Sequence, residues 1–198
     1  MKGNNNLLLQ KVTGMLGGTF VVRQVKGQVV ISVRPQKRKS PTDHQLKTKA
    51  RFGQAVDYSK AQMAIPAMKE LYATGVNDKL TSPYSVAVTD YLKAPQIREI
   101  STTGYSGRIG NQIRIFAVDD FRIEWVTVEI YDADGVQIES GEAQTNAMYS
   151  FIYETKLNNP HPTGSRIVVR AADMPGNVAE KTLVISPAPK QALPPSAQ

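Results

Sequence analysis

The positively charged side chains of this sequence are concentrated in one short stretch. Residues 23–51 hold nine lysines and arginines, and Asp43 is the one acidic residue among them. Such side chains bind phosphates, because each phosphate they neutralise releases condensed counterions. We therefore predict a site for a polyanion, with nucleic acid as the favoured partner. The predicted contact residues are Arg23, Lys26, Arg34, Lys37, Arg38, Lys39, Lys47, Lys49 and Arg51.

The charge of the whole chain is distributed unevenly. Residues 1–95 contain 15 Lys+Arg against 5 Asp+Glu, a net charge of +10, whereas residues 96–198 contain 9 against 12, a net charge of −3. This asymmetry predicts two modules with different partners. A solvated face or a protein-docking surface would have the same basic composition, so both alternatives stay open beside the polyanion.

Two strands are predicted to carry the first of these basic residues. The runs "TFVVRQ" and "VVISVR" flank a two-residue turn at Lys26, which is the pattern of a β-hairpin. The resulting pairing places Phe20 and Val22 on one apolar face, which we expect to be the core side. Arg23 and Arg34 then share the opposite face.

A helix is predicted to follow the hairpin. Ser40 is the expected N-cap, Pro41 suits the first helical position, and Asp43 completes a capping box. Phe52 is expected to lie in the core. Two shorter helices should follow, the second beginning at Ser82, before the chain breaks near residue 95.

The second half of the chain changes to strand patterns. Seven short runs rich in β-branched and aromatic residues are separated by turn signals, which predicts a β-sandwich. Within residues 125–131, Val126, Val128 and Ile130 alternate with more polar positions, as expected for a half-buried strand. The seven runs are "IREI", "NQIRIFAVD", "IEWVTVEIY", "VQIESGEA", "AMYSFIYE", "SRIVVRAAD" and "EKTLVIS".

One turn in this half resembles a known family. In "VVRAADMPGNVAEKTLVI", the residues Ala172, Asp173, Gly176 and Asn177 match the Ala-x-Asp-x-x-Gly-Asn turn before the last strand of bacterial immunoglobulin-like domains. The resemblance covers residues 96–186 and implies an immunoglobulin-like sandwich. It implies no particular function, because such sandwiches carry many unrelated sites.

The first half is similar to an uncharacterised bacterial domain of unknown function. The likeness lies in the basic hairpin followed by Pro41, Thr42 and Gln45, and then by Arg51 and Phe52. It implies the hairpin-and-helix layout and no activity.

Together these patterns predict an α+β N-terminal module, made of a β-hairpin plus helices, followed by an all-β immunoglobulin-like sandwich of about seven strands. The predicted divisions are an irregular arm over residues 1–18, the basic module over 19–95, the sandwich over 96–186 and a disordered Pro/Ala-rich tail over 187–198.

Enzymatic chemistry is not expected from these residues. The chain has no cysteine and two histidines, and it lacks a Gly-rich phosphate loop and a nucleophile elbow. We predict no cofactor, and the sequence identifies no small-molecule substrate. Carboxylates at strand ends could suit calcium, but their spacing shows no ligand series, so we predict turn-forming or solvated aspartates and no metal. These residues are Asp119, Asp120, Asp132, Asp134 and Asp173.

The predicted function is therefore non-enzymatic binding, with an anionic partner on the basic module and protein contacts on the sandwich. The alternative is a structural component of a larger assembly, such as a phage-like particle, in which the basic module docks a protein or another copy. No signal peptide or transmembrane segment is recognised, so we expect a cytoplasmic protein with no membrane partner.

Overall fold

The chain forms an α+β fold that is mostly β. The computed structural model describes residues 13–25, 28–34, 40–147 and 149–186. Within these ranges there are 3 helices and 11 strands, and the strands form three antiparallel sheets. Two compact units divide between Leu46 and Lys47. The change from helices to strands near residue 95 therefore lies inside the second unit.

The first unit contains a three-stranded sheet. Its strands are β1 (Gly14–Leu16), β2 (Phe20–Val25) and β3 (Gln28–Val33), in the order β1-β2-β3. The register of β2 and β3 is the predicted one, since Val25 lies opposite Gln28 and Phe20 opposite Val33. The hairpin prediction is confirmed for these described strands.

The arm that was predicted to be irregular over residues 1–18 contains a strand, β1, in its described part. It pairs with β2 from Gly14 opposite Val22 to Leu16 opposite Phe20. The reversal between the two strands uses Gly17 and Gly18, whose φ angles of 59° and 70° are readily adopted only by glycine.

The apolar face of this sheet is not the core side that the sequence predicted. Val22 is 2% exposed, but Phe20 is 43% exposed and Val33 is 66% exposed. A three-stranded sheet cannot cover its own face, so burial requires a packing partner that the pattern of one hairpin does not reveal.

The helices begin and end close to their predicted positions. They are α1 (Asp43–Met63), α2 (Pro66–Ala73) and α3 (Pro83–Leu92). Ser82 caps α3 and accepts a hydrogen bond from the backbone N–H of Ser85, as a capping box requires. No helix in the described part of the chain is long and apolar enough to cross a membrane.

The cap of α1 differs from the prediction. Thr42, rather than Ser40, accepts a hydrogen bond at Oγ1 from the backbone N–H of Gln45 (3.3 Å). The Gln45 side chain accepts one in return from the N–H of Thr42 (3.1 Å). The capping box is therefore Thr42–Gln45, because a glutamine at the third helical position closes it as well as an acidic residue does.

The eight remaining strands form two four-stranded sheets. One sheet has the order β11-β10-β6-β7 and the other β4-β5-β9-β8. The two sheets share one hydrophobic core, in which Val126, Val128 and Ile130 are fully buried as predicted. The strands are β4 (Gln96–Ser101), β5 (Gln112–Val118), β6 (Ile123–Tyr131), β7 (Gln137–Glu142), β8 (Gln144–Ala147), β9 (Ser150–Glu154), β10 (Arg166–Asp173) and β11 (Val178–Val184).

The observed eight strands exceed the predicted seven because β8 lies almost wholly between two predicted runs, in the residues 144–146 to which no strand was assigned. The chain leaves β7 at Glu142 and enters β8 of the other sheet at Gln144. Between them Ala143 is 5% exposed, and its N–H donates to the carbonyl of Val126 (2.8 Å). The predicted run ends at Ala143, but the polar residues Gln144, Thr145 and Asn146 carry no strand pattern that would have indicated β8.

Helices α2 and α3 pack against the loop between β5 and β6 through aromatic and small residues. The rings of Tyr72 and Phe121 stack with centroids 4.7 Å apart. Gly75 approaches this pair so closely that a Cβ atom built there would lie 2.7 Å from Phe121 and 2.9 Å from Val86. The position therefore requires glycine for steric reasons.

We expect the substitution Gly75→Ala to lower the free energy of unfolding by about 1–3 kcal/mol, the usual cost of overpacking. Gly53→Ala is the matched control, because no atom lies within 4 Å of a Cβ at that helical position. It should raise stability by about 0.5–1 kcal/mol through helix propensity. Urea denaturation of both variants checks this, and an equal effect in both would contradict the packing of Gly75.

Candidate functional site

The described structure contains five of the nine predicted basic contact residues. Lys26, Lys37, Arg38 and Lys39 lie outside the described residues. The five that can be placed are all exposed, two in the first unit and three on α1 in the second. They are Arg23, Arg34, Lys47, Lys49 and Arg51.

The two arginines of the first unit lie on one face of the sheet. The register places Arg23 and Arg34 opposite the face of Phe20, because side chains alternate along a strand. Arg23 donates from Nη2 to Oγ of Ser32 (3.3 Å), and the backbone N–H of Arg34 donates to the carbonyl of Thr19 (2.7 Å). Among the described residues, only one of the guanidinium donors of these two arginines, Nη2 of Arg23, has a hydrogen-bond partner.

Lys47 and Arg51 line one open cleft in the second unit. They are separated by one turn of α1 and thus lie on the same side of the helix. The cleft has a volume of about 480 Å³, and its far wall is Tyr91 with the turn over residues 175–177. Arg51 donates from Nη2 to the carbonyl of Leu92 (3.1 Å), which fixes its orientation.

No carboxylate neutralises these basic side chains within the described ranges. The ion pairs found there involve Lys93, Arg122 and Arg170 instead. An unpaired lysine and arginine on one wall of a cleft produce a positive potential that attracts anions.

Phe52 lies on the surface of α1 and not in the core, so the expectation of a buried side chain is wrong. It is 52% exposed. Lys49 lies three residues before it and is its neighbour on the helix surface. An aromatic ring beside a cation is the combination that stacks bases while contacting phosphates.

A second arrangement joins three aspartates from distant parts of the second unit. Asp90 belongs to α3, Asp119 follows β5, and Asp173 ends β10. Each offers one carboxylate oxygen, and these atoms all lie within 4.8 Å of one another. Asp90 is 0% exposed and Asp173 is 3% exposed.

The carboxylate of Asp90 is only half satisfied. Its Oδ2 accepts a hydrogen bond from the Tyr72 hydroxyl (2.7 Å), which is itself hydrogen-bonded to the Tyr58 hydroxyl (2.8 Å). Its Oδ1 is buried and has no partner among the described residues. A buried acceptor without a partner is uncommon and costly in a folded protein.

The other two aspartates are held in place by the backbone. Asp119 accepts at Oδ2 from the N–H groups of Phe121 (3.1 Å) and Arg122 (3.0 Å), while its Oδ1 is also buried and unpaired within the described part. Asp173 accepts from Asn177 at both oxygens, from the backbone N–H (2.6 Å) and from Nδ2 (2.7 Å).

Burial changes the acidity of Asp90 and Asp173. It is the main cause that raises the pKa of Asp90 to about 7; the hydrogen bond from Tyr72 opposes it, and the charges of Asp119 and Asp173 and the side-chain contact with Asp119 add to it. Burial also raises the pKa of Asp173, against the hydrogen bonds from Asn177.

Asn177 connects the carboxylate cluster to the basic cleft. It lines the cleft, and its Nδ2 donates to Asp173 as well as to the carbonyls of Asp90 (3.3 Å) and Tyr91 (3.2 Å). The two arrangements thus lie on either side of the same turn.

Sequence reasoning missed this cluster because its members are far apart in the chain. Asp119 and Asp173 were expected to form turns, and their hydrogen bonds show that they do. Asp90 lies in a helical pattern with no feature that distinguishes it. The turn motif at Asp173 was the one available signal, and it did not indicate which residues would face it.

Comparison with known proteins gives no match, either to a family model or to a curated protein. The function must therefore be inferred from the two arrangements described above.

We expect Asp90→Asn to stabilise the metal-free protein at pH 8 by roughly 1–3 kcal/mol, because the amide removes a buried charge and can donate to the unpaired oxygen of Asp119. Its carbonyl oxygen can still accept from Tyr72. Thermal and urea unfolding in excess EDTA checks the prediction. Asp134→Asn, at an exposed carboxylate, is the control and should change little. If Asp90→Asn destabilised the protein instead, the carboxylate of Asp90 would not be an uncompensated buried charge.

Proposed function

We propose that this chain is a non-enzymatic binding protein whose basic N-terminal part holds nucleic acid and whose eight-stranded part contacts other proteins. The observation that carries the proposal is the cleft of Lys47 and Arg51, where two cations share one wall and neither forms an ion pair with a described carboxylate.

The geometry of this cleft suits a phosphate. Arginine presents planar donors that match phosphate oxygens, and lysine adds a mobile point charge. The hydrogen bond from Arg51 to the carbonyl of Leu92 holds the guanidinium in place before a ligand arrives. Less side-chain entropy is then lost on binding, which favours affinity.

Single-stranded nucleic acid is the form that the exposed aromatic ring favours. Proteins that bind single strands combine a basic groove with aromatic side chains on which bases stack. The exposed Phe52 and its neighbour Lys49 offer this combination on α1, on a part of the helix surface next to the one that lines the cleft.

We also infer that the eight-stranded part is an immunoglobulin-like sandwich. Its strand orders, β4-β5-β9-β8 and β11-β10-β6-β7, correspond in sequence to the ABED and GFCC′ orders of that fold. The turn in which Asp173 and Asn177 are hydrogen-bonded carries the family resemblance. A sandwich of this kind supports protein contacts without specifying their partner.

A second candidate function is a structural role in a larger assembly, and the sheet of the first unit favours it. Large apolar side chains are exposed on both of its faces, and β1 and β3 are its edge strands. Exposed apolar surface and open edges mark protein-docking sites. One face carries Leu16, Phe20, Ile31 and Val33, and the other carries Met15, Val25 and Val30.

We expect the full chain to bind a single-stranded oligonucleotide with an affinity that falls linearly on a log–log plot against salt. The double variant Lys47→Ala/Arg51→Ala should reduce the magnitude of the slope by about 1.4, which is about 0.7 for each lost phosphate contact. A fluorescence anisotropy titration across a salt series, with a duplex in parallel, measures both.

The matched control is Lys69→Ala/Lys79→Ala, which removes the same charge from exposed positions outside the cleft. If both double variants lose the same affinity and slope, binding reflects net charge alone. If the unmodified chain does not bind even at low salt, the nucleic-acid proposal is wrong.

The assembly candidate predicts a defined multimer that depends on the sheet of the first unit. Ile31→Thr/Val33→Thr keeps strand propensity while removing exposed apolar surface. The multimer of this variant should therefore dissociate at a protein concentration at least about tenfold higher than that of the unmodified chain. Val136→Thr changes an exposed valine elsewhere and serves as the control. Sedimentation over a range of concentrations measures the state, and a concentration-independent monomer would exclude this candidate.

A further inference from the structure

We propose that Asp90, Asp119 and Asp173 bind one calcium ion that joins α3 to the ends of β5 and β10. The proposal does not depend on nucleic-acid binding. It rests on four properties of the cluster: its dimensions, its unpaired oxygens, its uncompensated charge and the chemistry of its ligands.

The dimensions of the cluster fit a calcium ion. Calcium lies about 2.3–2.6 Å from its oxygen ligands, so two ligands on opposite sides of the ion are about 4.6–5.2 Å apart. The three carboxylate oxygens lie within 4.8 Å of one another. These separations are close enough for small side-chain rotations to bring all three oxygens to one ion.

Two oxygens of the cluster accept no hydrogen bond from a described donor. Oδ1 of Asp90 and Oδ1 of Asp119 are buried without a hydrogen bond from any described residue. This observation is independent of the clustering, because Asp90 is fully buried and its other oxygen is already bonded to Tyr72. A bound cation would satisfy both oxygens at once.

The negative charge of the cluster is also uncompensated. Among the ion pairs of the described residues, none includes Asp90, Asp119 or Asp173. Lys93 pairs with Asp120 (2.9 Å), and Arg122 lies 4.0 Å from Glu124, so these nearby cations are directed elsewhere. Buried charges are stable when paired or bound to a metal.

The ligand chemistry selects a hard cation. Only carboxylate oxygens meet here, without the imidazole or thiolate ligands that favour zinc or copper. Calcium accepts irregular sets of oxygens from different elements, whereas magnesium requires near-ideal octahedral geometry and retains more water. A helix, a loop and a strand end form an irregular set of this kind.

The experiment uses the full chain, stripped with EDTA and exchanged into metal-free buffer at pH 7.5. We expect isothermal titration with CaCl₂ to show one ion per chain, and saturating calcium to raise the melting temperature. Asp90→Asn should weaken calcium binding by at least about 10- to 100-fold, the loss that follows even from changes in the outer shell of a metal site. Asp134→Asn should bind calcium like the unmodified chain.

Terbium luminescence provides a second measurement that does not depend on stability. The Tyr72 hydroxyl lies 2.7 Å from Oδ2 of Asp90, so this tyrosine is placed to sensitise Tb³⁺ at the site. We expect emission that calcium displaces, and we expect Asp90→Asn to require at least about tenfold more Tb³⁺ for the same emission while it remains folded.

Three results would overturn the proposal. Absence of calcium binding at millimolar concentration would mean that a shared proton, not a cation, relieves the repulsion between Asp90 and Asp119. Equal loss of binding in Asp90→Asn and Asp134→Asn would indicate surface charge only. Tighter binding of MgCl₂ through the same residues would exclude calcium as the preferred ion.

Discussion

The attachment of the helices to the strands depends on a buried polar contact. Tyr72 stacks on Phe121 and donates its hydroxyl hydrogen to Asp90, so one side chain joins α2, α3 and the loop after β5. The carboxylate it reaches lies beside two others and away from solvent. Removing one partner of a buried charge is strongly unfavourable, so the elements around Asp90 must keep their positions for the cluster to be tolerated.

The aspartate cluster also holds one wall of the basic cleft in place, through Asn177. Asn177 binds Asp173 on one side and the carbonyls at the end of α3 on the other, and it forms part of the cleft wall opposite Lys47. An ion held by the carboxylates would therefore rigidify the turn that an anionic ligand meets. The second unit therefore has a buried acidic cluster and an exposed basic cleft on either side of one turn.

Local signals in the sequence predicted much of the fold correctly. The register of β2 and β3, the start of α3 at Ser82 and the alternation around Val128 each depend on residues a few positions apart. Turn chemistry, capping and side-chain period act over this range, which is why a single sequence reveals them. The cap of α1 and strand β1 were missed although Thr42–Gln45 and Gly17-Gly18 carry the same kind of signal.

The sequence by itself determined the mostly β architecture, the helices and the concentration of positive charge before residue 52. Only the tertiary structure decided that Phe52 is exposed, that β7 and β8 belong to different sheets and that Asp90 meets Asp119 and Asp173. These outcomes depend on which surfaces pack together across dozens of residues. The burial of a side chain and the interaction between distant charged groups both arise from that packing. They therefore cannot be derived from the residues next to them in the sequence.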